Sequence, residues 1–191
     1  MGVSLVAFPK ILEYARLLVT ERVEEGDTVI DATCGNGNDT VFLAQLVGEK
    51  GIVYGFDIQE EALRNTKAII EEKNLTERVK IIEDSHENIN KYIRTKVKAA
   101  MFNLGYLPGS DKKIITQPNT TIKAIDSLLK ILSVNGIITQ VVYIKHDNGA
   151  EAKMIEEYIK TLDQKKYSVL NYSFLNQINY PSYLIAIEKK I

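Results

Sequence analysis

The chain has 191 residues, enough for one compact domain that buries a core without metal or disulfide staples. An apolar content of 45% argues against disorder, and a single cysteine excludes an internal disulfide and favours an intracellular home. The formal charge of −1 hides an uneven division, 9 basic against 17 acidic side chains in residues 1–90 and 15 against 8 in residues 91–191, which makes a polyanion surface on one side worth testing.

Met1-Gly2-Val3-Ser4-Leu5 has neither the basic flank nor the long apolar run of a secretion signal. No stretch approaches the roughly 20 apolar residues of a membrane span, so the expectation is a soluble, cytoplasmic protein. Residues 8–23 carry Ile11, Leu12, Ala15, Leu17, Leu18 and Val19 at helical spacing, ending near Glu24-Glu25-Gly26. Residues 28–32 read as the first strand and Asn38 to Leu46 as the first crossover helix. A second strand over 51–57 closes on Asp57, a helix follows over 59–73, and Val79-Lys80-Ile81-Ile82 is a short third strand. A modest helix over 89–94 precedes a fourth strand at 97–104, and the polar, breaker-rich run 105–113 is a loop. Thr120 or Thr121 caps a helix to about Ile131, residues 136–144 form an apolar strand, and 149–162 are helical. The last apolar stretches, 167–175 and 183–187, have no crossover helix between them and should pair as an antiparallel hairpin.

Alternating strands and helices predict one α/β domain over 1–191, a seven-stranded, mostly parallel sheet with helices on both faces and an antiparallel edge. Residues 1–24 form a helical extension packed on it.

The organising stretch is Asp31-Ala32-Thr33-Cys34-Gly35-Asn36-Gly37-Asn38-Asp39-Thr40, a strand end, a glycine turn and a helix start. In open α/β sheets ligands bind beyond the carboxyl ends of the strands, where strand order reverses. The whole run, Asp31, Thr33, Cys34, Gly35, Asn36, Gly37, Asn38, Asp39 and Thr40, is the candidate cradle, with Cys34 filling a tight corner. Asp57, with Ile58 and Gln59 after it, stands where a ribose diol would be held, and Asp84, Ser85 and His86 follow the third strand, suited to an adenine. These features fit S-adenosylmethionine or a dinucleotide. The third glycine of a dinucleotide fingerprint is replaced by Thr40, and Asp39 would repel a pyrophosphate at the helix start, whereas a cofactor carrying sulfonium and ammonium groups tolerates it.

Asn103 closes the fourth strand and begins Asn103-Leu104-Gly105-Tyr106, similar to the Asn/Asp-Pro-Pro-Tyr of amine-modifying methyltransferases. The Asn103 side-chain oxygen and the Leu104 carbonyl can accept hydrogen bonds from an amine, Tyr106 or Tyr180 can stack on a base, and His146 is a candidate proton acceptor. Lys112, Lys113 and Lys145 stand on loops at the same edge. Two histidines and one cysteine offer no dense metal cluster, so no metal is expected.

Over nearly its whole length the chain resembles a bacterial family of rRNA-methylase-like proteins that includes the tRNA 5-(aminomethyl)-2-thiouridine methyltransferase of Gram-positive bacteria. The resemblance rests on the 31–40 run, on Gly55-Phe56-Asp57-Ile58-Gln59, on residues 103–112 and on Phe174-Leu175-Asn176-Gln177-Ile178-Asn179-Tyr180-Pro181. It implies a class I S-adenosylmethionine-dependent methyltransferase, Rossmann-like in fold, that methylates the aminomethyl nitrogen of a tRNA wobble uridine. By that analogy Asp31, Gly35, Asn38, Asp57 and Gln59 meet the cofactor, Asn103 to Tyr106 lie beside the target base, and tRNA rests on the catalytic domain, with a homodimer partner left open. Two departures stand out: Lys145-His146-Asp147-Asn148-Gly149 replaces a family turn similar to Gly-His-Pro-Gly-Gly, and Ser182 replaces a second proline. The alternatives are an rRNA or small-molecule N-methyltransferase, a dinucleotide-dependent oxidoreductase, and a non-catalytic RNA-binding protein.

Overall fold

Side chains alternate across a strand, so adjacent apolar residues serve opposite faces of a sheet, and this chain uses both. The computed structural model describes residues 7–104, 118–143, 149–178 and 182–191. Its strands are β1 (Thr28–Asp31), β2 (Ile52–Asp57), β3 (Val79–Glu83), β4 (Val97–Leu104), β5 (Leu132–Val142), β6 (Tyr167–Tyr172) and β7 (Tyr183–Lys189). Its helices are α1 (Ile11–Thr20), α2 (Asn38–Leu46), α3 (Glu60–Glu72), α4 (Ile89–Tyr92), α5 (Pro118–Ile131) and α6 (Ala150–Lys160). The strands form one seven-stranded sheet in the order β3-β2-β1-β4-β5-β7-β6.

On one face Ile30, Phe56, Ala100, Phe102 and Ile138 pack with Ile89 of α4, Ile125 and Leu128 of α5, and Ile155 of α6. On the other, Val29, Val53, Ala99, Met101 and Ile137 pack with Ala15 and Val19 of α1, Leu43 of α2, and Ile70 of α3. Phe56 and Phe102 are among the largest wholly buried side chains, each contributing roughly 1.5–3 kcal/mol relative to exposure.

The last two strands pair antiparallel as expected, but β7 lies between β5 and β6, antiparallel to both. The outermost strand is therefore β6, and its residues 168–171 are exposed. Other differences are at boundaries. β5 begins directly after α5, four residues before the expected start, and passes through Asn135 at φ 59 beside a register shift in β4. β6 stops at Tyr172, and α4 is only four residues long, led in by a 3-10 turn over His86–Asn88. Helix α1 buries Ile11, Ala15, Leu18 and Val19 against β5 and β7, and Arg22 just after it bonds Glu188 of β7 at 3.0 Å. Among the described residues no helix is long and apolar enough to cross a membrane.

Cys34 is buried, and a Cβ built on Gly55 would lie 2.6 Å from its Sγ. Burial pushes its thiol well above the usual range, which keeps it protonated and supports the corner-filling role. Gly55→Ala is expected to cost about 2 kcal/mol, roughly 4–8 °C in Tm for a chain of this size. Cys34→Ala added to that chain should restore most of the loss in a thermal melt, because it vacates the contested space.

Candidate functional site

Strand order reverses between β1 and β4, both parallel, and the crevice at their carboxyl ends is where an open α/β sheet binds ligands. Asp31 ends β1 and Asn103 lies one residue from the end of β4. Between β1 and α2 the chain is held by Ala32 N–H to Met101 O and Cys34 N–H to Phe56 O, each 2.9 Å. Gly35 and Gly37 take φ of 53° and 78°, a region that favours glycine. A Cβ on Gly37 would sit 2.7 Å from Ile69 Cγ2 and 3.1 Å from the Thr66 backbone, so the close approach that this glycine permits is to α3. Thr66 Oγ1 donates to Gly35 O at 3.2 Å and Asn65 Nδ2 to Asn36 Oδ1 at 3.0 Å, clamping the turn from outside.

Three carboxylates face this turn. Asp31 is 1% exposed, accepting from Thr40 Oγ1 at 2.6 Å and from Thr33 N–H at 3.1 Å. Burial, then the neighbouring Asp39, raises its pKa to about 7. Asp57 accepts from Gly35 N–H and Gln59 N–H, each at 3.0 Å and one on each oxygen, which leaves lone pairs for a further donor. Ile58 beside it is 57% exposed, an apolar surface at the rim.

Asp39 is buried in the first turn of α2, where the sequence reading set its charge against an anion. The structure qualifies that reading: Arg16 of α1 bonds the same carboxylate through Nη2 at 2.7 Å and Nε at 3.0 Å, and also reaches Asn38 O at 3.4 Å. Arg16 was missed because nothing in the helical spacing of α1 shows which polar residue meets the turn.

Asp84 accepts from Ser85 N–H at 2.7 Å, Asn88 Nδ2 at 2.8 Å and the Tyr92 hydroxyl at 2.8 Å. These bonds hold its carboxyl below the usual range. Ser85 Oγ accepts from Glu87 N–H and opens the 3-10 turn. His86 is buried with its ring edge on Phe102, centroids 5.5 Å apart, and burial lowers its pKa, so it is neutral at pH 7.

Asn103 is held from three sides. Its N–H donates to Thr33 Oγ1 at 2.9 Å, its Nδ2 to Asp39 Oδ2 at 3.4 Å, and its Oδ1 accepts from the Tyr143 hydroxyl at 3.0 Å. Burial and Asp39 raise the Tyr143 pKa, so that hydroxyl stays protonated and donates. One lone pair of Oδ1 is left for another donor. Tyr143, just past β5, is the second residue the sequence reading missed; it was assigned only to the apolar run before His146. Tyr143→Phe is expected to lower kcat about fivefold, the worth of one hydrogen bond, with KM for the acceptor and the melting temperature little changed. A variant as active as the parent would remove this contact from the site.

Leu104 closes β4; Tyr106, His146, Lys112, Lys113, Lys145 and Tyr180 lie outside the described residues. Six of the described lysines of the second half lie away from Asn103. Lys96 precedes β4, Lys98 is near its start, Lys165 and Lys166 precede β6, Lys189 ends β7 and Lys190 follows it, all at the opposite end of the sheet from Asn103. No group of His, Cys, Asp and Glu able to hold a metal occurs among the described residues.

A parallel sheet with one late antiparallel strand inserted next to the edge, and acidic residues closing β1 and β2, is the layout of an S-adenosylmethionine-dependent methyltransferase. The chain belongs to that class and, within it, to the family described as "Putative rRNA methylase", which matches residues 53–188. The crystal structure of a "putative rRNA-methylase" from Clostridium thermocellum is 49% identical, covers 96% of this chain and 100% of its own, and superposes with a TM-score of 0.94. A "putative methyltransferase" from Streptococcus mutans, solved in complex with SAH, is 40% identical over 96% of this chain and 99% of its own, with a TM-score of 0.89. The Arabidopsis thaliana protein named tRNA (mnm(5)s(2)U34)-methyltransferase, chloroplastic, is 35% identical over 179 residues, 88% of this chain. This chain spans 65% of that relative's length.

Proposed function

We propose that this protein transfers a methyl group from S-adenosylmethionine to the aminomethyl nitrogen of a tRNA wobble uridine, converting 5-aminomethyl-2-thiouridine to 5-methylaminomethyl-2-thiouridine. The observation that carries the substrate is the likeness to the plant protein over most of the chain, and the acceptor geometry at Asn103 agrees with it. The donor supplies an activated methyl group, so the protein's part is binding, orientation and proton handling.

The residues fit such a donor. Asp31 is a carboxylate that burial and Asp39 leave short of positive charge, and an ammonium beside it would relieve the deficit. Asp31, Thr33, Gly35, Asn38 and Asp39 would hold the amino acid portion, Asp57, Ile58 and Gln59 the ribose and one face of the base, and Asp84, Ser85 and His86 the adenine. Cys34, Asn36, Gly37 and Thr40 shape the turn itself. Asn103 Oδ1 and the Leu104 carbonyl accept from the substrate amine and aim its lone pair. An aliphatic ammonium has no lone pair, so the neutral form must be selected or its proton removed; His146 is the proposed acceptor, its ordinary pKa of about 6.5 suiting that task. Tyr106 would stand beside the target base.

Incubation with a radiolabelled methyl donor and tRNA bearing the aminomethyl wobble uridine, followed by nucleoside analysis, should place the label on that nucleoside. Label in rRNA or a metabolite and none in tRNA would overturn the substrate assignment.

A further inference from the structure

The run Phe174-Leu175-Asn176-Gln177 carries part of the family resemblance, yet its residues have no place in the donor cradle. In the fold it comes back past α1 to a groove of about 470 Å³ that Tyr143 separates from Asn103, a volume within the range of small-molecule sites. Lys10 and Arg16 line it from the α1 side, Phe174, Gln177 and Ser182 from the β6–β7 connection, and Tyr143 from the end of β5. Two of these residues connect the groove to the site: Tyr143 donates to Asn103 Oδ1, and Arg16 bonds Asp39, which in turn receives Asn103 Nδ2.

The Phe174 wall is braced. Its ring meets the edge of Tyr172 at 5.5 Å between centroids and 69°, Tyr172 packs on Tyr14 at 4.3 Å, and the Tyr172 hydroxyl donates to Pro9 O at 2.9 Å. A braced aromatic wall offers a flat surface for a heterocycle at little ordering cost. Gln177 is exposed and carries both a donor and an acceptor for a base edge. Glu13 offsets Lys10 in the lining, and the Arg16 charge is already bonded to Asp39, so the lining is not a phosphate cluster. A base bearing an aminomethyl arm fits such a lining, its ring against the aromatic wall and its arm toward Asn103.

We infer that the groove between α1 and the β6–β7 connection is the acceptor nucleoside site, with Phe174 stacking on the base and Gln177 contacting its edge. This rests on the proposed function and adds to it where the base lies and which side chains select it. The test is steady-state kinetics with tRNA carrying the aminomethyl wobble uridine, alongside calorimetry with SAH. Phe174→Ala should raise KM for the tRNA about tenfold, the scale of one base–aromatic stack, and Phe174→Tyr should restore it. Gln177→Ala, a change at an exposed position that spares the fold, should raise KM severalfold. SAH affinity should stay within about twofold in all three. A parent that methylates the tRNA while Phe174→Ala and Gln177→Ala keep its KM would overturn the groove and leave the activity standing. A parent that leaves that tRNA unmethylated would overturn both.

Discussion

Asn103→Ala is expected to cut kcat about 100-fold while changing SAH affinity less than about twofold. Its backbone N–H is held by Thr33 and its side-chain amide by Asp39 and Tyr143, the latter two deciding which amide atom is oxygen and which nitrogen. The Asp39 carboxylate accepts from Nδ2, which leaves Oδ1 facing the Tyr143 hydroxyl as its donor. The side chain therefore presents one remaining acceptor in a set direction, the property needed to aim an amine. Misplacing a reacting group by about 1 Å costs on the order of 100-fold, whereas the donor cradle around Asp31 and Asp57 keeps its own hydrogen bonds. Single-turnover rates with saturating tRNA, set beside calorimetric SAH binding, separate the two effects. Full turnover in the variant would remove Asn103 from acceptor positioning.

The second large effect concerns Asp31. Its folded pKa is about 7 against an ordinary 3.8, so between those values the donor-free folded chain holds a proton that the unfolded chain has lost. Through this group, stability is greatest at or below about pH 4 and declines as pH rises to about 7. A ligand ammonium beside the carboxylate lowers that pKa and expels the proton. SAH affinity should then rise about tenfold per unit from roughly pH 5 to pH 7 and level off above, one pKa unit being 1.36 kcal/mol. Asp31→Asn should flatten the profile and bind at least about tenfold more weakly at pH 8. Calorimetry in buffers of different ionisation enthalpy should detect close to one proton released per SAH bound near pH 6. A flat profile in the unaltered chain would show that Asp31 does not meet the ammonium.

Much of the site could be read in one dimension because its parts are punctuation marks on strands. A carboxylate at the end of an apolar run marks the carboxyl edge of a sheet, which is how Asp31 and Asp57 were located. Gly35 and Gly37 mark a turn for a conformational reason that holds in any context, although the neighbour that needs Gly37 bare is α3. Asn103 was a candidate because β4 ends beside it. The division of basic residues was equally visible, but its placement was not. Lys96, Lys98, Lys166 and Lys189 come together at the end of the sheet remote from Asn103 because strand direction, which composition does not carry, sends the beginnings of β4 and β6 and the end of β7 to one edge.

By itself the sequence determined the alternation of strands and helices, the glycine turn at β1 and the acidic strand ends, since each follows from periodicity or local backbone preference. Only the tertiary structure decided that β7 lies inside β6, that Arg16 meets Asp39 across 23 residues, that Tyr143 meets Asn103 across 40, and that Phe174 returns beside α1. Such pairings depend on strand order and on which helix face meets the sheet. Many polar residues could serve as partners at no local cost, and the packing of two apolar faces selects among them.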